Sequence, residues 1–82
     1  MAQQQAARPT KDQILEALGI WLKSRRERAG LSQRIVAMAL GLSLRQWQYA
    51  EQGTKELGSA KLLRFMQLTG ADPIEVVELI EK

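Results

Sequence analysis

The chain has 82 residues, 45% hydrophobic and 26% charged, with a formal net charge of +3, which suffices for one small domain whose helices must nearly all feed the core. It contains no cysteine and no histidine, which excludes disulfides, thiolate nucleophiles, imidazole acid–base chemistry and the common zinc sites. Residues 1–64 carry eleven Lys/Arg against five Asp/Glu, whereas residues 65–82 carry one lysine against four acids, so one end of the chain suits phosphates and the other does not.

Met1–Arg8 is rich in Gln and Ala, has no core-forming pattern and runs into Pro9. Residues 1–9 are therefore expected to form a flexible tail ahead of a domain over residues 10–82. The tail lacks an apolar targeting core, and no apolar run reaches the roughly 18 residues of a membrane span. A cytoplasmic protein without membrane attachment is expected.

Thr10 and Gln13 have capping-box spacing. The stripe Ile14, Leu15, Leu18, Trp21 and Leu22 predicts a first helix ending near Ala29, with Gly30 as its stop. Gly19 weakens this helix slightly. Ser32 caps a short second helix whose inner face is Val36, Ala37 and Leu40, ended by Gly41. Two residues later Ser43 caps a third helix, which runs to about Gln52 and stops at Gly53. Thr54–Gly58 reads as a loop. A fourth helix starts at Ser59 or Ala60, with Leu62, Leu63, Phe65, Met66 and Thr69 inward, and Gly70 closes it. Asp72-Pro73-Ile74-Glu75 is a start signal of cap, helix-opening proline and first-turn acid. The last helix carries Ile74, Val76, Val77, Leu79 and Ile80, and no segment reads as a strand.

The informative stretch is Gln33–Gln52. A turn of about three residues is too tight for its two helices to lie antiparallel, so they must cross steeply, as in a helix-turn-helix. Ala37 allows the close crossing, Gly41 the turn, and Trp47 with Ala50 the anchorage of the second helix. On a helical wheel Trp47, Ala50 and Glu51 fall together, and Arg45, Gln48, Tyr49 and Gln52 lie opposite. An arginine fork can pair with guanine O6/N7 and a glutamine amide with adenine N6/N7. Any solvated helix has a polar face, so the face acquires meaning from the small residue and the turn before it.

These pieces, in order, are Leu18-Gly19, Leu22, Arg25-Arg26, Gly30-Leu31-Ser32-Gln33, Ala37, Leu40-Gly41-Leu42-Ser43, Glu51, Gly53, Leu62 and Phe65 through Gly70. Together they resemble the lambda-repressor-like, Cro-type helix-turn-helix family over about two-thirds of the chain. The resemblance implies an all-α, compact five-helix domain with the helix-turn-helix at helices two and three. It implies double-stranded DNA as partner, with the third helix in the major groove and dimers on half-sites roughly 34–36 Å apart.

Carried over by position, Leu44, Arg45, Gln48 and Tyr49 would read bases. Gln33, Ser43, Gln52 and Lys55 would hold the sugar-phosphate backbone, with Ser43 also available as a cap. Arg26 and Glu51 match a pair that in some relatives forms a salt bridge between the first and third helices. The departures are Leu44, where a polar residue is common and a thymine methyl becomes the natural contact, and Ile35 and Met38 outside the buried arc. Ser59 and Thr69 also stand where the family has apolar residues.

Lys23, Arg25, Arg26 and Arg28 form a basic patch that suits either phosphate contact or a solvated helix end, and Arg8 could enter a minor groove. The last helix is apolar on more than one face. In the family such helices commonly build dimers, so Ile74, Val77 and Ile80 are expected in a homodimer interface. The expected function is that of a sequence-specific transcriptional repressor on a two-fold symmetric operator. Alternatives of the same fold are an antitoxin, which would bind a toxin protein, or a restriction-system controller. A protein-interaction module without DNA binding is the third possibility. No enzyme, cofactor or metal is expected, because no Ser, Tyr or Glu has a base or orienting partner beside it.

Overall fold

Four of the described helices begin where a polar side chain occupies backbone N–H groups that a first turn leaves unpaired. The computed structural model describes residues 9–81, with side chains described through residue 79. Among the described residues there are five helices, α1 (Lys11–Arg28), α2 (Gln33–Leu40), α3 (Leu44–Gln52), α4 (Ser59–Thr69) and α5 (Pro73–Glu81), and no strand. The expectations for Arg8 and the rest of 1–8, and for the side chain of Ile80, lie outside the described residues.

Thr10 opens α1 with a full capping box, its hydroxyl accepting from Gln13 N at 3.1 Å and its own N–H donating to Gln13 Oε1 at 2.9 Å. Ser32 Oγ accepts from Ile35 N at 3.1 Å to start α2. Ser43 repeats the capping box with Gln46 at the start of α3. Asp72 Oδ1 accepts from Ile74 N at 3.0 Å ahead of α5. Only α4 starts without a side-chain cap, at Gly58. Between α2 and α3, Gly41 has φ +72°, a left-handed conformation that costs a glycine little, and the chain turns there within three residues.

The core lies among α1, α2, α3 and α4. Trp47, Phe65, Leu22 and Val36 are its largest fully buried side chains. Phe65 sits between two indoles, stacked on Trp47 at 5.4 Å and edge-on to Trp21 at 5.7 Å, both within the favourable range for aromatic pairs. Around this centre α1 packs on α3 and α5, α2 on α3 and α4.

Gly19 has a role that helix propensity alone does not suggest. A Cβ there would lie 2.5 Å from the carbonyl oxygen of Glu51 and 2.9 Å from that of Ala50, so the absence of a side chain lets α1 approach the backbone of α3. Two apolar assignments need correction. Leu63 is 59% exposed: at about 100° per residue it falls beyond the arc of Leu62, Phe65, Met66 and Thr69. Ile14 is 37% exposed and lines an open apolar groove with Leu15, Leu18, Leu57 and Leu62. In α5, Val76 and Leu79 pack on the core, while Ile74 and Val77 are exposed.

No described helix is long and apolar enough to cross a membrane. Among the described residues no cluster of acidic side chains could hold a metal ion.

Candidate nucleic-acid interface

What α3 presents outward is determined by how it is held from behind. The Trp47 ring is fully buried and Ala50 nearly so. The indole Nε1 donates to Glu51 Oε2 at 2.6 Å. Glu51 also receives the Arg26 guanidinium as a fork, Nε to Oε2 at 2.5 Å and NH2 to Oε1 at 3.3 Å. The third nitrogen of Arg26, NH1, donates to the carbonyl of Leu31 at 2.9 Å. Gln33 Nε2, from the first turn of α2, adds a donor to Glu51 Oε1 at 2.9 Å. Donors from α1, α2 and α3 thus converge on one carboxylate whose side chain is 5% exposed. A buried ion pair supplied with this many hydrogen bonds retains a defined geometry.

Opposite this anchor lie Arg45 and Gln52, exposed, and Tyr49 and Gln48, half-buried. Leu44 is half-buried at the start of the same face. Gln48 Nε2 donates to Gln33 Oε1 at 3.2 Å, so the two glutamines meet across the α2–α3 crossing. Ser43 is exposed, with its hydroxyl oxygen engaged as the cap.

The basic patch of α1 separates into distinct environments. Arg26 turns inward to Glu51. Arg25 turns the other way, its Nε 3.5 Å from Glu75 Oε1, and Glu75 also accepts from Trp21 Nε1 at 2.9 Å. That indole bond, the Asp72 backbone N–H and nearby Arg25 and Arg28 hold the Glu75 carboxyl below the usual carboxylate range. Lys23 does neither. It is exposed and lines a polar concavity with Gln33, Gln48, Glu51 and Gln52, and it has no acidic partner among the described residues.

Of the backbone-holding candidates, Gln33 and Gln52 therefore lie together with Lys23 on one flank of α3. Lys55 lies apart from them, on the other flank, in a groove with Gln46 and Lys61. A sequence signal for Lys23 did exist. It stands four residues after Gly19 and three before Arg26, on the stripe of α1 that faces α3.

Residues 17–79 match the model of the family described as helix-turn-helix domain. The structure is similar to the clp gene regulator ClgR from C. glutamicum, with 30% sequence identity, a TM-score of 0.72, and coverage of 90% of this chain and 91% of that one. A comparison with curated proteins finds no match.

Proposed function

This chain belongs to the helix-turn-helix domain family, which makes it a DNA-binding regulator of transcription, and we propose that it acts as a repressor, a homodimer occupying a two-fold symmetric operator. The observation that carries this reading is the mounting of α3. Its indole side is locked to Glu51 and its guanidinium–amide–phenol side is open. Arg45, Gln48 and Tyr49 then address base edges in the major groove, with Leu44 against a thymine methyl. Gln33, Ser43, Gln52 and Lys23 engage one phosphate strand, and Lys55 the other, since a helix seated in the groove has a strand on each side. Arg26 and Glu51 set the orientation of the reading helix.

The dimer surface in this reading is the outer stripe of α5. Ile74 and Val77 are 53% and 43% exposed, and Ile80 follows at the same helical spacing. Apolar residues repeated on an exposed face favour burial against a partner.

Selection of bound duplexes from random DNA tests the proposal. A two-fold symmetric site with half-sites about one helical turn apart is expected. Arg45→Ala should relax preference at one base pair per half-site and cost roughly 1–3 kcal/mol on the selected duplex. Affinity should fall steeply with added salt. Failure to enrich any sequence, with binding to a protein partner that persists in high salt, would replace the regulator with an interaction module docking through Ile35 and Met38, which are 48% and 70% exposed.

A further inference from the structure

We propose that Glu51, acting through Gln33, dictates which atoms of Gln48 face the DNA, and that Gln48 thereby selects a base carrying an amino group in the major groove, adenine above all. The inference rests on the proposal that Gln48 reads bases, and it adds a chemical reason for what it reads.

The chain of logic starts at the buried carboxylate. An ionised carboxylate only accepts hydrogen bonds. Glu51 takes donors from Arg26, Trp47 and Gln33. Gln33 must therefore turn its NH2 toward Glu51, because its carbonyl there would set acceptor against acceptor in a buried site. With Nε2 committed to Glu51 Oε1 at 2.9 Å, Oε1 of Gln33 is left on the far side of the amide. The Gln48 amide meets that oxygen at 3.2 Å. Only a donor satisfies it, so Gln48 too must turn its NH2 inward.

An amide usually chooses between two orientations of nearly equal shape. Here the choice passes from Glu51 to Gln33 to Gln48 and, with Nε2 of Gln48 turned to Gln33, leaves its carbonyl as the amide atom to be offered to a base. The amide nitrogen has a second N–H on the carbonyl's side. Together, Oε1 and that N–H form the edge that pairs with adenine N6 and N7. Guanine offers two acceptors at the corresponding positions and would face the carbonyl with a lone pair. Gln33 is thus a positioning residue: it need not touch the base whose identity it helps to decide.

The test uses the intact chain and a duplex selected by the wild-type protein. Gln48→Ala first locates the base pair that Gln48 reads, as the position where preference is lost. The expected result is adenine at that position, favoured by about 5- to 150-fold over guanine, the range for a good bidentate pair. Gln33→Ala should then abolish most of that preference at that one position while leaving the others intact, and the double variant should lose nothing further there. Loss of a phosphate contact or a slightly loosened fold would weaken all sequences alike and would not move a position-specific ratio. If the alanine variant unfolds, Gln33→Met keeps the stem and removes both amide atoms.

Guanine at the Gln48 position, or an adenine preference that survives removal of the Gln33 amide, overturns the relay and leaves the regulator reading standing. No sequence preference at all in the wild-type protein overturns that reading, and the relay falls with it.

Discussion

α1 is joined to α3 and to α5 by the same three side-chain types, a tryptophan, a glutamate and an arginine, with different results. In the first joint Trp47 and Arg26 both bond Glu51, at 2.6 and 2.5 Å, and the guanidinium spends its remaining nitrogen on the Leu31 carbonyl. In the second, Trp21 bonds Glu75 at 2.9 Å, but Arg25 Nε stops 3.5 Å short of it and is buried with no hydrogen-bond partner. The Glu51 side chain is 5% exposed and that of Glu75 30%. The difference is one of solvent competition. A carboxylate sealed from water is held by its partners alone, whereas one at the rim exchanges them with water. The reading helix is thus held rigidly and the last helix by a looser latch, which suits a helix proposed to meet a second copy of the chain.

The largest expected effect breaks the tight joint. Glu51→Ala leaves the Arg26 charge buried without its counter-charge and removes the acceptor for two further donors. A loss of about 3–5 kcal/mol follows. Against the roughly 5–15 kcal/mol that stabilises a typical domain, this is a large share for a chain of 82 residues, and urea titration measures it. A loss below about 1 kcal/mol would mean that the two joints are equivalent after all.

Gly19→Ala probes the same joint from its backbone side. Alanine has the better helix propensity by about 1 kcal/mol, yet its Cβ would enter the space 2.5 Å from the Glu51 carbonyl oxygen. Backbone cannot swing aside as a side-chain tip can, so α3 must retreat. A net loss of about 1–3 kcal/mol is expected, measured by thermal unfolding, and a more stable variant would show that the α1–α3 spacing is soft.

The loose joint is tested with protons. Glu75 has its carboxyl held low, chiefly by the Trp21 indole. A carboxyl depressed in the folded state stabilises it when ionised. That contribution is complete above the pKa of the unfolded chain, ordinarily about 4.3 for glutamate, and is lost as pH falls through the lower folded value. Hydrogen-exchange protection in α5, taken relative to the intrinsic exchange rate at each pH, should therefore fall across this acid window while α2 and α3 keep theirs, and Glu75→Gln should remove the dependence. Simultaneous opening of α3 and α5 would erase the distinction between the joints.

Much of this was legible in the chain. Thr10, Ser32, Ser43 and Asp72 start their helices in the structure as their side chains predict, because capping is a contact over three residues. The same spacing in Ser43–Gln46 completes a second capping box, equally legible in the chain. What joins distant segments was harder to see. The Trp21–Glu75 bond spans 54 residues, and nothing local to either residue announces it. Gly19 reads locally as a weak point in a helix, since the carbonyls that require it belong to α3. Gln33 reads from its place in the motif as a phosphate contact, since its bonds to Glu51 and Gln48 depend on the angle at which α2 crosses α3. Leu63 is apolar yet exposed, because its angle on the helix, and not its apolarity, puts it past the edge of the core.

The smallest effect on stability comes from an α1 cation outside both joints. Lys23 is exposed and has no acidic partner among the described residues, so Lys23→Gln should change stability by no more than about 0.5 kcal/mol. It nevertheless lines the concavity with Gln33, Gln48 and Gln52. If a phosphate sits there, removing the ammonium releases one fewer counterion on binding, and the slope of log affinity against log salt should fall by about 1 for every sequence tried. Arg28→Gln is the control, because Arg28 is exposed near Glu75, away from the reading face. It removes the same charge and should leave the slope nearly unchanged. An equal fall in both variants would mean that the DNA senses only net charge, and Lys23 would lose its place beside the reading helix.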